Sequence, residues 1–342
     1  MSISQLQHIK AKFSIFLPVK NGGKYITLAI ESILAQQVSD FALIILENKS
    51  ADNTLSVVQS YSDPRIILIE ASEGLEIYDS WRRIFDIIQG GLVTSEFTTI
   101  IGHDDILYPQ FLKNIEILIA THPEASLYQT QFDLIDKDGN IRRPCKAIPA
   151  KECAKDFFLA RCWGIRDSFG TGHVFRTSDY IKIGGMPDLP QLLWSDDLLI
   201  IRMTKLSYKV CGEQSSFAYR LHDSSASGAV TSKKFVALAE ALRCFIGEVE
   251  RFNPEFLIYE NDKTAFGFFI ARQINLLNFP FNTKLLGEES SKTIRHVDRK
   301  SAHYLPYKLV NRSPGVDIIE QILLKARGFY IAARLIRKNY LN

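Results

Sequence analysis

The residues of this 342-residue chain that could do chemistry fall into four short clusters. Glu47-Asn48 closes an apolar run, and a carboxylate or amide so placed can accept from a ribose hydroxyl or pair with the edge of a uracil-like base. Asp104-Asp105 closes another. Two adjacent carboxylates repel each other unless a cation or hydrogen bonds relieve the repulsion. A hard divalent ion bridging a pyrophosphate needs only one or two of them, because substrate oxygens and water complete its shell. Asp196-Asp197 opens a helix whose body is LLIIRM, where an acid can also serve simply as a cap. Pro18-Val19-Lys20-Asn21-Gly22 is a turn that can carry its backbone close to a nucleotide base, or be a plain connection.

The elements that must position these clusters are legible in the hydrophobic pattern. FSIFLPV (13–19), FALIIL (41–46), RIILIE (65–70) and the run into Gly102 are unbroken apolar strands. Between them Ile26, Ile30, Ile33 and Leu34, then Leu55, Val57 and Val58, then residues 76–89, show helical spacing. Strands alternating with helices predict an α/β domain with a mixed, mainly parallel sheet flanked by helices. Ligands then sit beyond the carboxyl ends of the strands. Residues 125–230 mix short strands (SLYQTQFDLI, SFGTGHVF, SSFAYRLH) with loops and a helix after Trp194. From about 232 the pattern turns helical, over 234–252, 263–277 and 316–338.

Taken together, LPVKNG, ENKSADNT, GHDDILYP, VFRTSDYIKIGG, the acid of SDDLLIIR and YRLHDSSAS occur in an order that resembles the inverting, nucleotide-sugar-dependent glycosyltransferases of family 2. The resemblance covers about two thirds of the chain. It implies the GT-A fold over residues 1–230, with a donor half of about 1–125 and an acceptor half of about 126–230, and a helical extension over 231–342. By position it places Pro18 and Lys20 beside the base, Glu47 and Asn48 at the base and ribose, and Asn21 and Asp104 among the donor-binding residues. Asp104, Asp105 and His222 are the metal candidates it implies, for Mg²⁺ or Mn²⁺. Asp196 matches the general base, with Asp197 as its competitor. The chain departs from the family pattern at Asn48 and Gly102, each standing where an acid is usual. A UDP-sugar donor and a glycan or lipid-linked acceptor of bacterial surface polysaccharide follow from the same resemblance.

Other classes fit less well. NGGKYI lacks the GxGxxG spacing of a dinucleotide enzyme. A nucleotidyltransferase would want a glycine- and base-rich phosphate loop, which LPVKNGGKY only faintly suggests. An inactive nucleotide-sugar-binding protein of the same fold remains the alternative, supported by Gly102. No apolar run reaches the ~18–20 residues of a membrane span, and the N-terminus does not read as a signal peptide, so a cytoplasmic location is expected. The five cysteines form no CxxC pair and read as reduced, mostly buried thiols. Net charge is +3, yet residues 291–342 carry eleven Lys and Arg against three Asp and Glu. With the apolar stripe Ile319, Ile322, Leu323, Ala326, Tyr330 and Ala333, this tail suits the sheet domain, a second subunit in a homodimer, or peripheral contact with the anionic inner face of the cytoplasmic membrane. No nucleic acid partner is expected.

Overall fold

A computed structural model describes residues 10–222 and 232–278 of the protein. The expected tail helix over 316–338 and the basic segment 291–342 lie outside the described residues. The strands are β1 (Phe13–Val19), β2 (Phe41–Glu47), β3 (Ile66–Glu70), β4 (Phe97–Ile100), β5 (Ile106–Leu107), β6 (Leu127–Ile135), β7 (Ile141–Pro144), β8 (Lys151–Glu152), β9 (Val174–Arg176) and β10 (Lys209–Arg220). The helices are α1 (Ile26–Leu34), α2 (Thr54–Gln59), α3 (Ile77–Gln89), α4 (Phe111–Thr121), α5 (Ala154–Cys162), α6 (Thr177–Lys182), α7 (Ser195–Leu206), α8 (Ser232–Phe252) and α9 (Glu260–Asn278).

One sheet runs β3-β2-β1-β4-β9-β6-β10-β5, with β7 beside β6 and β8 beside β10. Its first half is parallel, and every residue of β1 and β2 is buried, as strands covered on both faces require. The register Val19↔Glu47↔Glu70 brings the carboxyl ends of β1, β2 and β3 level. The turns carrying the candidate residues therefore open on one edge. Beyond β4 the sheet is mixed: β9 is antiparallel to both neighbours and β10 is parallel to β6. This is the mainly parallel α/β sheet that the strand pattern predicts.

The helix α3 is amphipathic, burying Ile84, Phe85, Ile87 and Ile88. Arg83 pins it to the sheet, donating from Nη1 to the Glu47 carbonyl at 3.0 Å and from Nη2 to the Ile69 carbonyl at 2.6 Å. At the other side of the sheet Lys209 Nζ and Glu152 Oε2 form a 2.6 Å pair with both side chains about 1% exposed. Removing one partner of such a pair typically costs about 3–5 kcal/mol.

Two compact units divide the chain. The first takes Met1–Ala154, Asp167–Asp188 and Ser195–Ala229, and holds the sheet. The second takes Lys155–Arg166 and Leu189–Trp194 together with the chain from Val230. The second unit thus draws two segments from within the first 230 residues as well as the chain beyond them. In the second unit the reason is visible: Phe158 of α5 packs on Phe256 and Phe266 at ring distances of 5.2 and 5.4 Å. The Lys155–Asp262 pair at 2.7 Å reinforces that packing.

Several local expectations shift. The last sheet strand begins at Lys209 rather than within SSFAYRLH, and only Val174 and Phe175 of SFGTGHVF are strand. Helices α5 and α6 were not evident in the pattern; α6 is a short connector. Cys145, Cys162 and Cys211 are buried, whereas Cys153 is exposed. Among the described residues no helix is long and apolar enough to cross a membrane.

Candidate active site

The turns after β1 and β2 are built against each other. Asn21 and Lys49 both adopt left-handed backbone (φ 55° and 49°), a conformation that favours glycine or asparagine. Their neighbours hold them there. Asn21 donates from its backbone to Ser50 Oγ at 2.9 Å, and its Oδ1 accepts from the Ala51 N–H at 2.8 Å. Glu47, 1% exposed, accepts from Lys49 N–H at 3.0 Å and Ser50 N–H at 2.6 Å. Asn48, 3% exposed, grips the loop before α3: its Nδ2 donates to the Leu75 carbonyl at 2.9 Å, and its Oδ1 accepts from the Leu75 N–H at 2.7 Å.

The side chains of Asn21, Glu47 and Asn48, expected to face the base and ribose, are thus engaged in fixing the loops. Pro18 is buried at the end of β1, and Lys20 is exposed, its Nζ 3.5 Å from the Leu75 carbonyl. Gly22 is dictated by packing. A Cβ there would meet Val19 Cγ2 at 2.6 Å and His103 Cδ2 at 2.8 Å. His103, which the sequence reading passed over, is held below the ordinary histidine range by burial, opposed by the Asp104 charge.

The paired acids after β4 part company. Asp105 is 1% exposed; its Oδ2 accepts from Thr171 Oγ1 at 2.6 Å and its Oδ1 from the Arg220 N–H at 3.0 Å. Burial first, and the Asp104 charge second, push its carboxyl up to about 7. This departs from the expectation of a second metal carboxylate at 105, because one oxygen is engaged by Thr171 and the other by the Arg220 N–H at the end of β10. Asp104 instead meets His222, with Oδ2 and Nε2 2.7 Å apart. Arg220, 2% exposed, braces the pair: its Nε donates to the Asp104 carbonyl at 2.7 Å and its guanidinium lies 4.7 Å from the Tyr25 ring centre. The Tyr25 ring is also 5.1 Å from His222. Arg220 was missed in the sequence, although it stands two residues from His222 in the same motif.

One carboxylate oxygen and one imidazole nitrogen converging in this way suit a divalent ion. Among the described residues no group of three or more His, Cys, Asp or Glu forms a cage. Two such donors would hold an ion only with further ligands, of the kind a bound diphosphate supplies. Gly102 follows from the same geometry. A Cβ at 102 would lie 2.7 Å from Asp104 Oδ1 and 2.8 Å from Asp105 Oδ2, so an acid there would displace both carboxylates.

At the start of α7 the two acids differ in exposure. Asp196 is half-buried and Asp197 is 1% exposed, inside a run of buried residues reaching Ile201. Asp196 is the more exposed of the two.

Comparison with known proteins places this geometry in a family. The family model described as "Glycosyl transferase family 2" matches residues 14–184. An uncharacterized glycosyltransferase of Rickettsia conorii is 29% identical over 138 residues, 39% of this chain and 21% of that protein. A PGL/p-HBAD biosynthesis glycosyltransferase of Mycobacterium bovis is 27% identical over 134 residues, 38% of this chain and 49% of that protein. The chain thus spans half or less of the length of these two relatives. Residues 1–349 of S. aureus TarS superpose with a TM-score of 0.62 at 13% identity, covering 87% of this chain and 82% of that one. The same fragment in complex with UDP-GlcNAc gives 0.56 at 13% identity, over 88% and 91%. The parallel β3-β2-β1-β4 half-sheet, with its acid-bearing turns on one edge, accords with these matches: the chain belongs to glycosyl transferase family 2.

Proposed function

We propose that the chain transfers a sugar from a nucleotide diphosphate sugar to a hydroxyl of a glycan or lipid-linked glycan, with inversion at the anomeric carbon. The observation that carries the reading is the convergence of Asp104 and His222, 2.7 Å apart beyond the carboxyl end of β4. Asp196 acts as general base. Its carboxylate takes the proton of the acceptor hydroxyl as that oxygen bonds to the anomeric carbon and the bond to the diphosphate breaks on the opposite face. A bound Mg²⁺ or Mn²⁺, held by Asp104 and His222, would offset charge on the leaving diphosphate. Asp105, Thr171 and Arg220 hold the turn that presents Asp104.

A UDP-sugar is the favoured donor, a choice supported by the likeness to a fold that carries UDP-GlcNAc. An acceptor of the bacterial cell envelope is supported by the PGL/p-HBAD relative. Peripheral membrane contact and a homodimer are kept as readings of the basic tail outside the described residues. The test is a thermal-shift screen of UDP- and GDP-sugars with and without Mn²⁺, followed by assay of donor hydrolysis, since a ligand bound only by the folded state raises the melting point. Stabilisation together with slow hydrolysis supports the transferase. Stabilisation without any turnover favours an inactive binding protein.

A further inference from the structure

Tyr25 is 6% exposed, yet it takes no part in the apolar core cluster that Ile26, Ala29 and Ile30 join just after it. Its ring is buried beside charge instead. The Arg220 guanidinium lies 4.7 Å from the ring centre and Lys24 Nζ 4.8 Å from it, both inside the ~6 Å reach of a cation–π contact. The His222 imidazole is a further neighbour, with ring centres 5.1 Å apart and planes tilted by 45°.

Little of this is needed to start α1. The Tyr25 and Ile26 N–H groups both donate to the Gly22 carbonyl at 2.9 Å, and the Tyr25 side chain makes no cap hydrogen bond. Its hydroxyl donates to the Lys137 carbonyl at 3.3 Å, a long bond. The ring, by contrast, lies against both groups that grip Asp104. Arg220 Nε holds the Asp104 carbonyl at 2.7 Å, and His222 Nε2 meets the carboxylate at 2.7 Å. One side chain at the head of the first helix thus borders two contacts that converge on one aspartate.

We infer that Tyr25 is a positioning residue for the Asp104–His222 pair. Its ring fixes the imidazole and the guanidinium in the orientation in which both meet Asp104, and so sets how well a divalent ion is held on the donor diphosphate. The inference rests on the reading of that pair as the metal site. Removing a group that orients a metal-binding histidine typically costs about 10–100-fold in metal affinity.

The test is isothermal titration of UDP, and of GDP in parallel, into the full-length protein in Mn²⁺ and in EDTA. Wild type is expected to bind at least one of them more tightly in Mn²⁺. Tyr25→Leu should lose about tenfold in affinity in Mn²⁺ while keeping its affinity in EDTA. Tyr25→Phe, which retains the ring, should restore the Mn²⁺ effect. In a His222→Ala background Tyr25→Leu should bring no further loss. Tyr25→Met keeps the comparison should the leucine variant not fold. An undiminished Mn²⁺ effect without the ring overturns the inference, as does an equal fall in Mn²⁺ and in EDTA, or a Tyr25→Phe that falls as far as Tyr25→Leu. A wild type that binds neither nucleotide more tightly in Mn²⁺ removes the metal reading itself, and the inference with it.

Discussion

Asp104 and His222 stand 118 residues apart in sequence, yet their Oδ2 and Nε2 atoms are 2.7 Å apart in the fold. The contact is made possible by Arg220, which binds the Asp104 carbonyl and whose own N–H holds Asp105. If the pair holds a divalent ion on the donor, UDP should raise the melting temperature more in Mn²⁺ than in EDTA. Asp104→Asn and His222→Ala should each erase that difference, with UDP affinity in Mn²⁺ falling by roughly tenfold to a hundredfold, or about 1.4–2.8 kcal/mol. Isothermal titration of UDP into the three proteins checks this. An undiminished Mn²⁺ effect in both variants would count against the pair.

The acids at the head of α7 separate by exposure, and their variants should separate by phenotype. Asp196→Asn is expected to fold with a near-native melting temperature, bind UDP normally and lose transfer by about 10²–10⁴-fold, the range of a general base. Asp197→Ala should instead lower the melting temperature, because the residue is 1% exposed among core side chains. Full transfer by the Asp196 variant would move the base elsewhere.

The amide at 48, where the family resemblance implies an acid, has a local reason. Asn48 reads both the N–H and the carbonyl of Leu75, and a carboxylate could accept from the first but only repel the second. Asn48→Asp should therefore destabilise the fold by about 1–3 kcal/mol, the cost of a buried polar contact left unmade. Chemical denaturation measures it. Stability equal to wild type would show that the loop before α3 does not depend on this clamp.

Buried His173 supplies a pH dependence. Burial, and after it the Lys209 charge, hold its imidazole down to about 3, against the hydrogen bond it makes to the Phe169 carbonyl at 3.1 Å. Its Nδ1 has no partner among the described residues. Between the ordinary value of 6.5 and about 3 the unfolded chain binds the extra proton, so stability falls as the pH falls through that window. The slope approaches about 1.4 kcal/mol per pH unit. Urea unfolding from pH 7 to pH 4 should show it, and His173→Gln should flatten the curve. Parallel curves for the two proteins would assign the acid sensitivity to other groups.

Much of the donor-side scaffold was legible because its signals are local. Buried parallel strands are continuous apolar runs, and FSIFLPV and FALIIL appear in the fold almost residue for residue as β1 and β2. Residue types also pointed to Asp104 and the acids at 196 and 197, and the family resemblance pointed to His222. What the sequence could not convey is where each side chain spends its hydrogen bonds. Asn21, Glu47 and Asp105 look like ligand-facing groups by type and position, and each is turned onto backbone N–H groups of its own or a neighbouring turn, Asp105 also onto Thr171. Arg220 and Gly102 were opaque for the same reason, since their roles depend on contacts more than a hundred residues away or on space rather than on atoms present.

The anchoring of α3 bears on how the protein could change. Arg83 rivets the helix to the carbonyls of Glu47 and Ile69, on strands that are themselves fixed by the sheet. The solvent side of the same helix, at Tyr78 and Trp81, contributes little to that attachment. Substitutions at these two positions can therefore change the outward face of α3 while a single guanidinium keeps the helix fastened to two neighbouring strands at once.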